Sequence, residues 1–298
     1  MAKELFVQTG LWHQAAVLRK IKEHSGLGWQ KIADIIGVTK RMIFHYLKEN
    51  CRISLSNLKT LCKETGFDLK EIEKLQLIEL DQFGEKEIRK PKLGKELAEF
   101  LGAMSGDGNI YEKNYRVSIT CGAIVDNAYV KNSIGKKFEK LFGLEPTFIV
   151  KNGAIRCQVY SKRLVSYLSE EFGFPKGNRK NRMFIQRKIL NDRNLLAAYL
   201  RGLFDTDGSF HRRRKNSAVV EFISCSPNFL YEVKCALVSL GFKASLSGKS
   251  VYIYDQAHVD TFFKLIKPSN IKHSIKYRIF KETGIVPTHA DFLKAAVV

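Results

Sequence analysis

Two stretches of this sequence, one hundred residues apart, share one pattern: Leu97-Ala-Glu-Phe-Leu-Gly-Ala-Met-Ser-Gly-Asp107-Gly108 and Leu196-Ala-Ala-Tyr-Leu-Arg-Gly-Leu-Phe-Asp-Thr-Asp207-Gly208. Each predicts a short apolar helix with a glycine in its middle and an Asp-Gly pair at its end. A glycine inside a helix costs about 1 kcal/mol relative to alanine, so Gly102 and Gly202 indicate close contact between two backbones. If the helices pack against each other there, Asp107 and Asp207 come to lie side by side and make one acidic site from two halves.

The segments that follow the two stretches repeat one order of elements. After Gly108 the patterns predict a strand at 115–120, a helix at 126–142, strands at 147–151 and 154–160, and a helix at 163–172. After Gly208 they predict a strand at 218–223, a helix at 228–240, strands at 243–246 and 251–254, and a helix at 258–266. An Asp-Gly pair after a single apolar run is also typical of a capped core helix. The repetition favours a tandem αββαββα unit instead.

In these features the sequence resembles the monomeric two-repeat LAGLIDADG homing endonucleases. The family nonapeptide falls on residues 100–108 and 200–208, and Ser105 replaces the inner acid in the first copy. The resemblance covers about residues 95–283 and implies an α+β fold of tandem pseudo-symmetric αββαββα repeats, preceded by a small all-α helix-turn-helix domain. The predicted divisions are a helix-turn-helix DNA-binding domain at 1–80, a linker at 81–95, LAGLIDADG repeat 1 at 96–185, repeat 2 at 186–283 and a C-terminal tail at 284–298.

The first 80 residues have a helical pattern of their own. Helices are predicted at 12–23, within 26–36 and at 40–50, where Thr39 is a good N-cap, and Ser54 or Ser56 caps a fourth helix that ends at Gly66. The segment resembles a repressor/Cro-type helix-turn-helix, whose second helix lies in the major groove. This resemblance makes four residues of that helix DNA-facing candidates: Lys40, Arg41, His45 and Lys48. A small helical bundle for protein contacts is the alternative.

The charge of the chain indicates a polyanionic partner. The formal net charge is +20, of which +16 falls after residue 90, and the sequence pI is near 9.7; double-stranded DNA is the expected partner. No apolar run is long enough to span a bilayer, and no signal peptide or intein splice junction frames the chain, so we expect a free-standing, monomeric, cytoplasmic protein associated with DNA. The six cysteines lack zinc-ligand spacing, and most of them lie inside apolar strands or helices, so reduced core residues are expected.

Polar and apolar residues alternate along the predicted strands, which gives each sheet one polar face. Basic runs, predicted as loops, flank the motifs at 176–182 and 211–215. Arginine, lysine, glutamine and tyrosine on such surfaces can contact phosphates and base edges. An ordinary solvated sheet face is the alternative. The candidates for DNA contact are Arg116, Arg156, Gln158, Arg182, Arg212, Arg213, Arg214, Lys243, Tyr252 and Tyr254.

The paired aspartates suit phosphodiester hydrolysis. Mg²⁺ is usually held by a few carboxylates, water and phosphate oxygens, and it can activate water and offset charge in the transition state. Asp107 and Asp207 are therefore the predicted metal and catalytic residues, with backbone carbonyls of Gly106 and Thr206 completing the site and Mg²⁺ or Mn²⁺ as the cofactor. No organic cofactor is expected. Without metal, repulsion between the acids should raise the pKa of one of them.

The resemblance also implies a catalytic lysine from each repeat. Lys180 is the candidate after repeat 1, with Arg182 as the alternative, and Lys272 is preferred to Lys276 after repeat 2. A plain phosphate contact or a solvated lysine is the alternative for each. A missing lysine in the first repeat predicts a weaker half-site and a nicking bias.

The predicted function is that of a site-specific double-strand DNA endonuclease that hydrolyses phosphodiesters with divalent metal. Two alternatives share the fold: a LAGLIDADG-derived DNA-binding transcription regulator without cleavage activity, and an RNA maturase. Both outer acids, Asp107 and Asp207, are present. This favours the nuclease, because a pure binding protein has no need of two like charges at its centre.

Overall fold

A computed structural model describes residues 6–8, 14–48, 50–68, 76–78, 88–214, 217–288 and 291. The chain divides into two compact units, Met1–Lys86 and Glu87–Val298. Residues 81–87 of the predicted linker lie outside the described residues, as do 289–290 and 292–298 of the predicted tail and Lys215 of the second basic run. Among the described helices, none has the length and apolar character needed to cross a membrane.

Four helices lie in the described part of the N-terminal unit, and their predicted positions are confirmed. They are α1 (Gln14–Ser25), α2 (Trp29–Ile35), α3 (Lys40–Leu47) and α4 (Leu55–Thr65). Thr39 caps α3 by accepting the Met42 amide, and Ser54, not Ser56, caps α4 by accepting the Asn57 amide. The unit also contains an unpredicted antiparallel pair of short strands, β1 (Phe6–Gln8) and β2 (Gln76–Ile78).

A buried glutamine joins the segments of this unit. The side chain of Gln14 donates to the carbonyls of Tyr46 and Cys51 at 2.7 and 2.8 Å, and its Oε1 accepts the Ile53 amide at 2.8 Å. These bonds connect α1 to the end of α3 and to the segment before α4. Because a buried backbone group without a partner is costly, Gln14 stabilises this connection.

Two four-stranded antiparallel sheets form the frame of the C-terminal unit. The first contains β3 (Gly108–Tyr111), β4 (Arg116–Gly122), β5 (Thr147–Lys151) and β6 (Ala154–Tyr160) in the order β3-β4-β6-β5. The second contains β7 (Gly208–Arg214), β8 (Ser217–Ile223), β9 (Ala244–Ser247) and β10 (Ser250–Ile253) in the order β7-β8-β10-β9. The identical order confirms the repeat. The sequence patterns did not locate the first strand of either sheet.

The helices of the unit follow the same repeat. They are α5 (Lys95–Gly106), α6 (Asn127–Tyr129) with π-helical turns at Val130–Gly135 and Phe138–Phe142, α7 (Lys162–Phe172), α8 (Arg187–Leu190), α9 (Arg193–Asp207), α10 (Pro227–Ser239), α11 (Gln256–Ile266) and α12 (Ile271–Thr283). The short α8 and the long α12 are additions to the predicted elements. Apolar sheet residues such as Val117 and Val251 are fully buried against this helical layer.

The two motif helices pack against each other at their glycines, as predicted. A Cβ at Gly102 would overlap the Tyr199 carbonyl of α9, and a Cβ at Gly202 would overlap the Glu99 carbonyl of α5. Only glycine allows backbones to approach this closely. The contact places the C-terminal ends of α5 and α9 together.

Candidate functional site

Two aspartates meet where α5 and α9 end. Asp107 is the C-cap of α5 and Asp207 is the last residue of α9, and both are half-buried. Burial raises the pKa of Asp107, and burial together with the charge of Asp107 raises the pKa of Asp207 to about 7. The C-terminal end of a helix carries partial negative charge, so two carboxylates there favour a cation between them.

Arg179 lies beside these carboxylates and was missed in the sequence. Its guanidinium group donates to the carbonyls of Met104, at 2.7 Å, and of Gly106. Burial lowers the pKa of Arg179, and the charges of Asp207 and Asp107 act in the opposite direction. The only sequence signal was its place in the basic run at 176–182. Arg179 therefore caps α5 and supplies positive charge to the acidic pair.

The predicted residues of that run lie further out. The Lys180 side chain is exposed at the edge of the cleft, and Arg182 is exposed and donates to the Asn178 carbonyl at 3.3 Å. Neither has a hydrogen bond to Asp107 or Asp207 among the contacts of the described residues.

Lys272 approaches the acids from the other repeat. It lies in the first turn of α12, its side chain is 18% exposed, and its Nζ lies 2.8 Å from Oδ1 of Asp126. Its charge acts against the rise that burial causes in the pKa of both Asp107 and Asp207. The alternative, Lys276, is half-buried, and burial and the charge of Lys272 lower its pKa.

The inner acid of the second motif, Asp205, connects α9 to the start of α12. It is fully buried, and its carboxylate accepts the amides of Ser269 and Asn270 at 2.9 and 3.0 Å. Burial raises its pKa to about 7, and these two bonds act against that rise. Ser105, the equivalent residue of the first motif, instead accepts the Tyr199 hydroxyl at 2.7 Å. The inner acid thus anchors the start of α12 in one repeat only.

Cys121 lies next to one of the acids. It is buried and hydrogen-bonds Asp107, and burial raises the pKa of its thiol. Cys62 and Cys157 are also buried, as predicted for core residues, whereas Cys51 is half-buried and Cys225 and Cys235 are exposed.

A cleft of about 770 Å³ opens above the two helix ends. Both aspartates, Arg179, Lys180 and the predicted metal residues Gly106 and Thr206 line it, together with Ser224, Cys225 and Ser226 of the second repeat. The cleft therefore gives a polar substrate access to the acidic pair from the side of Arg179.

The oxygen donors of the cleft fit a hard divalent cation. Among the described residues no group of three or more histidine, cysteine or acidic side chains is placed to hold a metal. Two carboxylates nevertheless suit Mg²⁺, which keeps several waters and takes substrate oxygens. The Gly106 carbonyl already accepts a bond from Arg179, and the Thr206 hydroxyl donates to the carbonyls of Gly202 and Leu203.

The polar face of the first sheet contains the predicted residues, with one of them buried. Arg116 stacks over the Tyr111 ring at 5.3 Å, and Arg156 donates to the Thr120 hydroxyl at 3.4 Å. Gln158 is only 3% exposed and donates to the Tyr160 hydroxyl at 2.9 Å. Because it is buried, it does not offer a free surface group.

On the second sheet, arginine and tyrosine form a stack. Arg213 lies 3.8 Å over the Tyr254 ring, which stacks on Tyr252 at 5.3 Å. Arg212, Arg213 and Arg214 belong to β7 and are exposed, so the loop predicted at 211–215 is corrected to a strand over its described residues. Lys243 is exposed and lies 3.7 Å from Asp255.

Most of the predicted DNA-facing residues of α3 are exposed. Lys40, Arg41 and Lys48 are exposed, whereas His45 is half-buried. Phe44 lies on the same helix and is 43% exposed. An exposed aromatic ring among basic side chains suits a surface that contacts both phosphates and thymine methyl groups.

Part of the chain matches a known family and parts of several curated proteins. Residues 194–267 match the model of a LAGLIDADG-like domain. The chain is similar to a glutamine–fructose-6-phosphate aminotransferase (isomerizing) of Methanocaldococcus jannaschii, 26% identical over 236 residues that cover 77% of this chain and 20% of that protein. It is also similar to the ribonucleoside-diphosphate reductase NrdEB subunit alpha of Bacillus subtilis, 27% identical over 190 residues, 57% of this chain and 17% of that protein. The chain thus spans about a fifth of these relatives.

Solved structures show a more distant similarity. The homing endonuclease I-DmoI in complex with DNA and Mn is 18% identical, with a TM-score of 0.43, over 58% of this chain and 96% of that chain. Full-length DUF199/WhiA from Thermatoga maritima is 17% identical, with a TM-score of 0.44, over 70% of this chain and 68% of that chain. Scores below 0.5 do not by themselves establish a shared fold. The family match and the repeated sheet order do: this is an α+β chain with two LAGLIDADG-like repeats that follow an N-terminal helical region.

Proposed function

We propose that this chain is a site-specific double-strand DNA endonuclease that hydrolyses phosphodiesters with a divalent metal. The observation that carries the proposal is the pair of aspartates at the ends of two packed helices, beneath an open cleft. Burial and mutual repulsion raise the pKa of Asp207 to about 7. Keeping two like charges at two negative helix ends is costly, and a bound cation relieves this cost.

The residues of the chain have distinct roles in this proposal. Asp107 and Asp207 hold Mg²⁺ or Mn²⁺, which supplies activation of water and stabilisation of the leaving oxygen. Arg179 and Lys272 supply positive charge to the acids and neutralise charge that develops on the phosphate. Lys180, at the edge of the cleft, contacts a neighbouring phosphate. The acids therefore hold the metal, and the cations orient the strand.

The surface charge supports DNA as the substrate. The net charge of +20 resides mainly in the part of the chain that carries the two sheets. The Arg213–Tyr254–Tyr252 stack and the Arg116–Tyr111 contact place planar side chains on polar sheet faces. Such groups can contact phosphates and base edges in a major groove. We propose that α2 and α3 add a helix-turn-helix contact to the same DNA molecule.

The curated relatives support a self-contained module. An aminotransferase and a ribonucleotide reductase catalyse unrelated reactions, and this chain matches about one fifth of each. A segment common to both is best explained as a unit that is independent of either reaction. We therefore propose neither of those activities for this chain.

A DNA-binding regulator without cleavage activity is the second candidate. Two observations favour it. The Arg179 guanidinium donates a hydrogen bond to the Gly106 carbonyl, and the described residues contain no cluster of three metal-binding side chains. In that case Arg179 replaces the metal as the counter-charge of the aspartates. The two candidates therefore differ in what neutralises the acidic pair.

One experiment separates the candidates. Duplexes that bind the full chain in Ca²⁺ are selected from a randomised library, and the selected duplex is then incubated in Mg²⁺. We expect the wild type to cut it at one position, and a variant with both Asp107→Asn and Asp207→Asn to bind it without cutting. Site-selective binding by both proteins, with no cutting by either, supports the regulator.

A further inference from the structure

Asp126 and Lys272 form an ion pair across the boundary between the two repeats. Asp126 belongs to repeat 1 and Lys272 to repeat 2, and their charged atoms lie 2.8 Å apart. The carboxylate is 7% exposed and the lysine side chain 18% exposed. A pair this well shielded from water interacts more strongly than a surface pair, because solvent screens it less.

The carboxylate of Asp126 is itself fixed by its neighbours. Its Oδ1 accepts the Asn270 side-chain amide at 2.6 Å, and its Oδ2 accepts the backbone amide of Gly122 at 3.2 Å. Asn270 is fully buried and also donates to the Asp205 carboxylate and carbonyl. Asp126 therefore holds Lys272 in one place from a rigid position, and the network connects α12 to the first repeat.

The second repeat has no such acid. Ser226 precedes α10 as Asp126 precedes α6, and it lies one hundred residues later. Ser226 is 4% exposed, and its hydroxyl has no hydrogen-bond partner within the described part of the chain. It lines the open cleft together with Arg179 and Lys180. One half of the site thus contains a formed lysine–carboxylate pair, and the other half is open.

We propose that Asp126 is a positioning residue that holds the ammonium group of Lys272, from the opposite repeat, beside Asp107, and that this makes the two halves of the site chemically different. The proposal rests on the nuclease function proposed above. It follows that cleavage of the strand at the Asp107–Lys272 half requires Asp126. Cleavage of the other strand, at the Asp207 half, where Ser226 stands in the place of Asp126, does not.

The test measures cleavage of each strand separately. A selected duplex carries a different label on each strand, and four proteins are compared in Mg²⁺: wild type, Asp126→Asn, Lys272→Met and the double variant. Asparagine keeps the oxygen that accepts the Asn270 bond but removes the charge. We expect Asp126→Asn to lower the cleavage rate of one strand by about 10- to 100-fold, the usual effect of removing a partner of a catalytic group. The cleavage rate of the other strand should stay within about 2-fold of the wild-type rate.

The double variant distinguishes positioning from a general structural role. If Asp126 acts through Lys272, the double variant cuts the affected strand no more slowly than Lys272→Met alone. Equal slowing of both strands by Asp126→Asn overturns the proposal. Asp192→Asn, at the exposed start of α9, is the matched control and should leave both strands unchanged.

A second measurement needs no cleavage. Reductive methylation followed by mass spectrometry reports how accessible Lys272 is, with the exposed Lys264 as the internal reference. We expect Asp126→Asn to increase modification of Lys272 several-fold and to leave Lys264 unchanged. Unchanged reactivity of Lys272 overturns the positioning role. A wild type that cuts neither strand contradicts the nuclease function, and the lysine measurement then decides separately whether Asp126 holds Lys272.

Discussion

Replacing Asp207 with asparagine should stabilise the chain at neutral and alkaline pH. Burial is the main cause, and the charge of Asp107 the second, of the rise in the pKa of Asp207 from 3.8 to about 7 in the folded protein. Between pH 4 and 7 the unfolded chain releases this proton whereas the folded chain retains it. The free energy of unfolding therefore falls as the pH rises through this window, and the full cost persists above pH 7.

The magnitude follows from about 1.4 kcal/mol per pKa unit. A rise from 3.8 to about 7 corresponds to about 4 kcal/mol at pH 8. Burying the asparagine amide has its own cost, but that cost is independent of pH. The stabilisation by Asp207→Asn should therefore be about 2–3 kcal/mol larger at pH 8 than at pH 5, because at pH 5 only part of the cost of ionising Asp207 has developed.

Urea unfolding in the presence of EDTA measures this difference. The wild type and Asp207→Asn are compared at pH 5 and pH 8, followed by circular dichroism. Asp192→Asn is the control: it lies at the other end of α9, where its carboxylate caps the helix, and asparagine caps equally well. If the variant gains the same free energy of unfolding at both pH values, or is less stable than the wild type at pH 8, Asp207 is not a buried carboxylate repelled by Asp107.

Three further predictions follow from the packing and the charges. Gly202→Ala should destabilise the C-terminal unit by about 3 kcal/mol or more in calorimetry, since its Cβ meets the backbone of Glu99. Gln14→Leu should cost about 3 kcal/mol, because it removes three hydrogen bonds to backbone groups, two of them buried, and the exposed Gln30→Ala is its control; equal unfolding temperatures would contradict this. Ca²⁺ should raise the unfolding temperature of the wild type at pH 8 but not that of the variant carrying both Asp107→Asn and Asp207→Asn; an equal rise in both would place the cation elsewhere.

The repeat and the packing of its central helices were predictable from the sequence. Each apolar helix has a glycine in its middle and an acid at its C-terminal end. This pattern was enough to predict the helix packing, because it occurs twice and close backbone contact requires glycine there. The strands with alternating residues, such as β4 and β6, were also located. By contrast, β3 and β7 begin directly at the glycine after each acid, where the sequence is equally compatible with a turn.

The partners of the acids were not predictable, because they depend on contacts between distant segments. Arg179 was one of several basic residues in a single run, and nothing local distinguished it from Lys180 or Arg182. Asp126 lies at the start of a helix, where an acid is an ordinary cap, and its partner is 146 positions further along the chain. Gln158 fits the polar period of its strand, but it is buried.

The most direct test of the central claim is sequencing of the DNA ends produced in Mg²⁺. The full chain is incubated with a randomised plasmid library, alongside the variant carrying both Asp107→Asn and Asp207→Asn and a sample in EDTA. We predict new ends on both strands at one sequence, produced by the wild type in Mg²⁺ and absent from both controls. Wild-type ends no more frequent than those of the variant, with binding retained by both proteins, would contradict a nuclease built on these two aspartates.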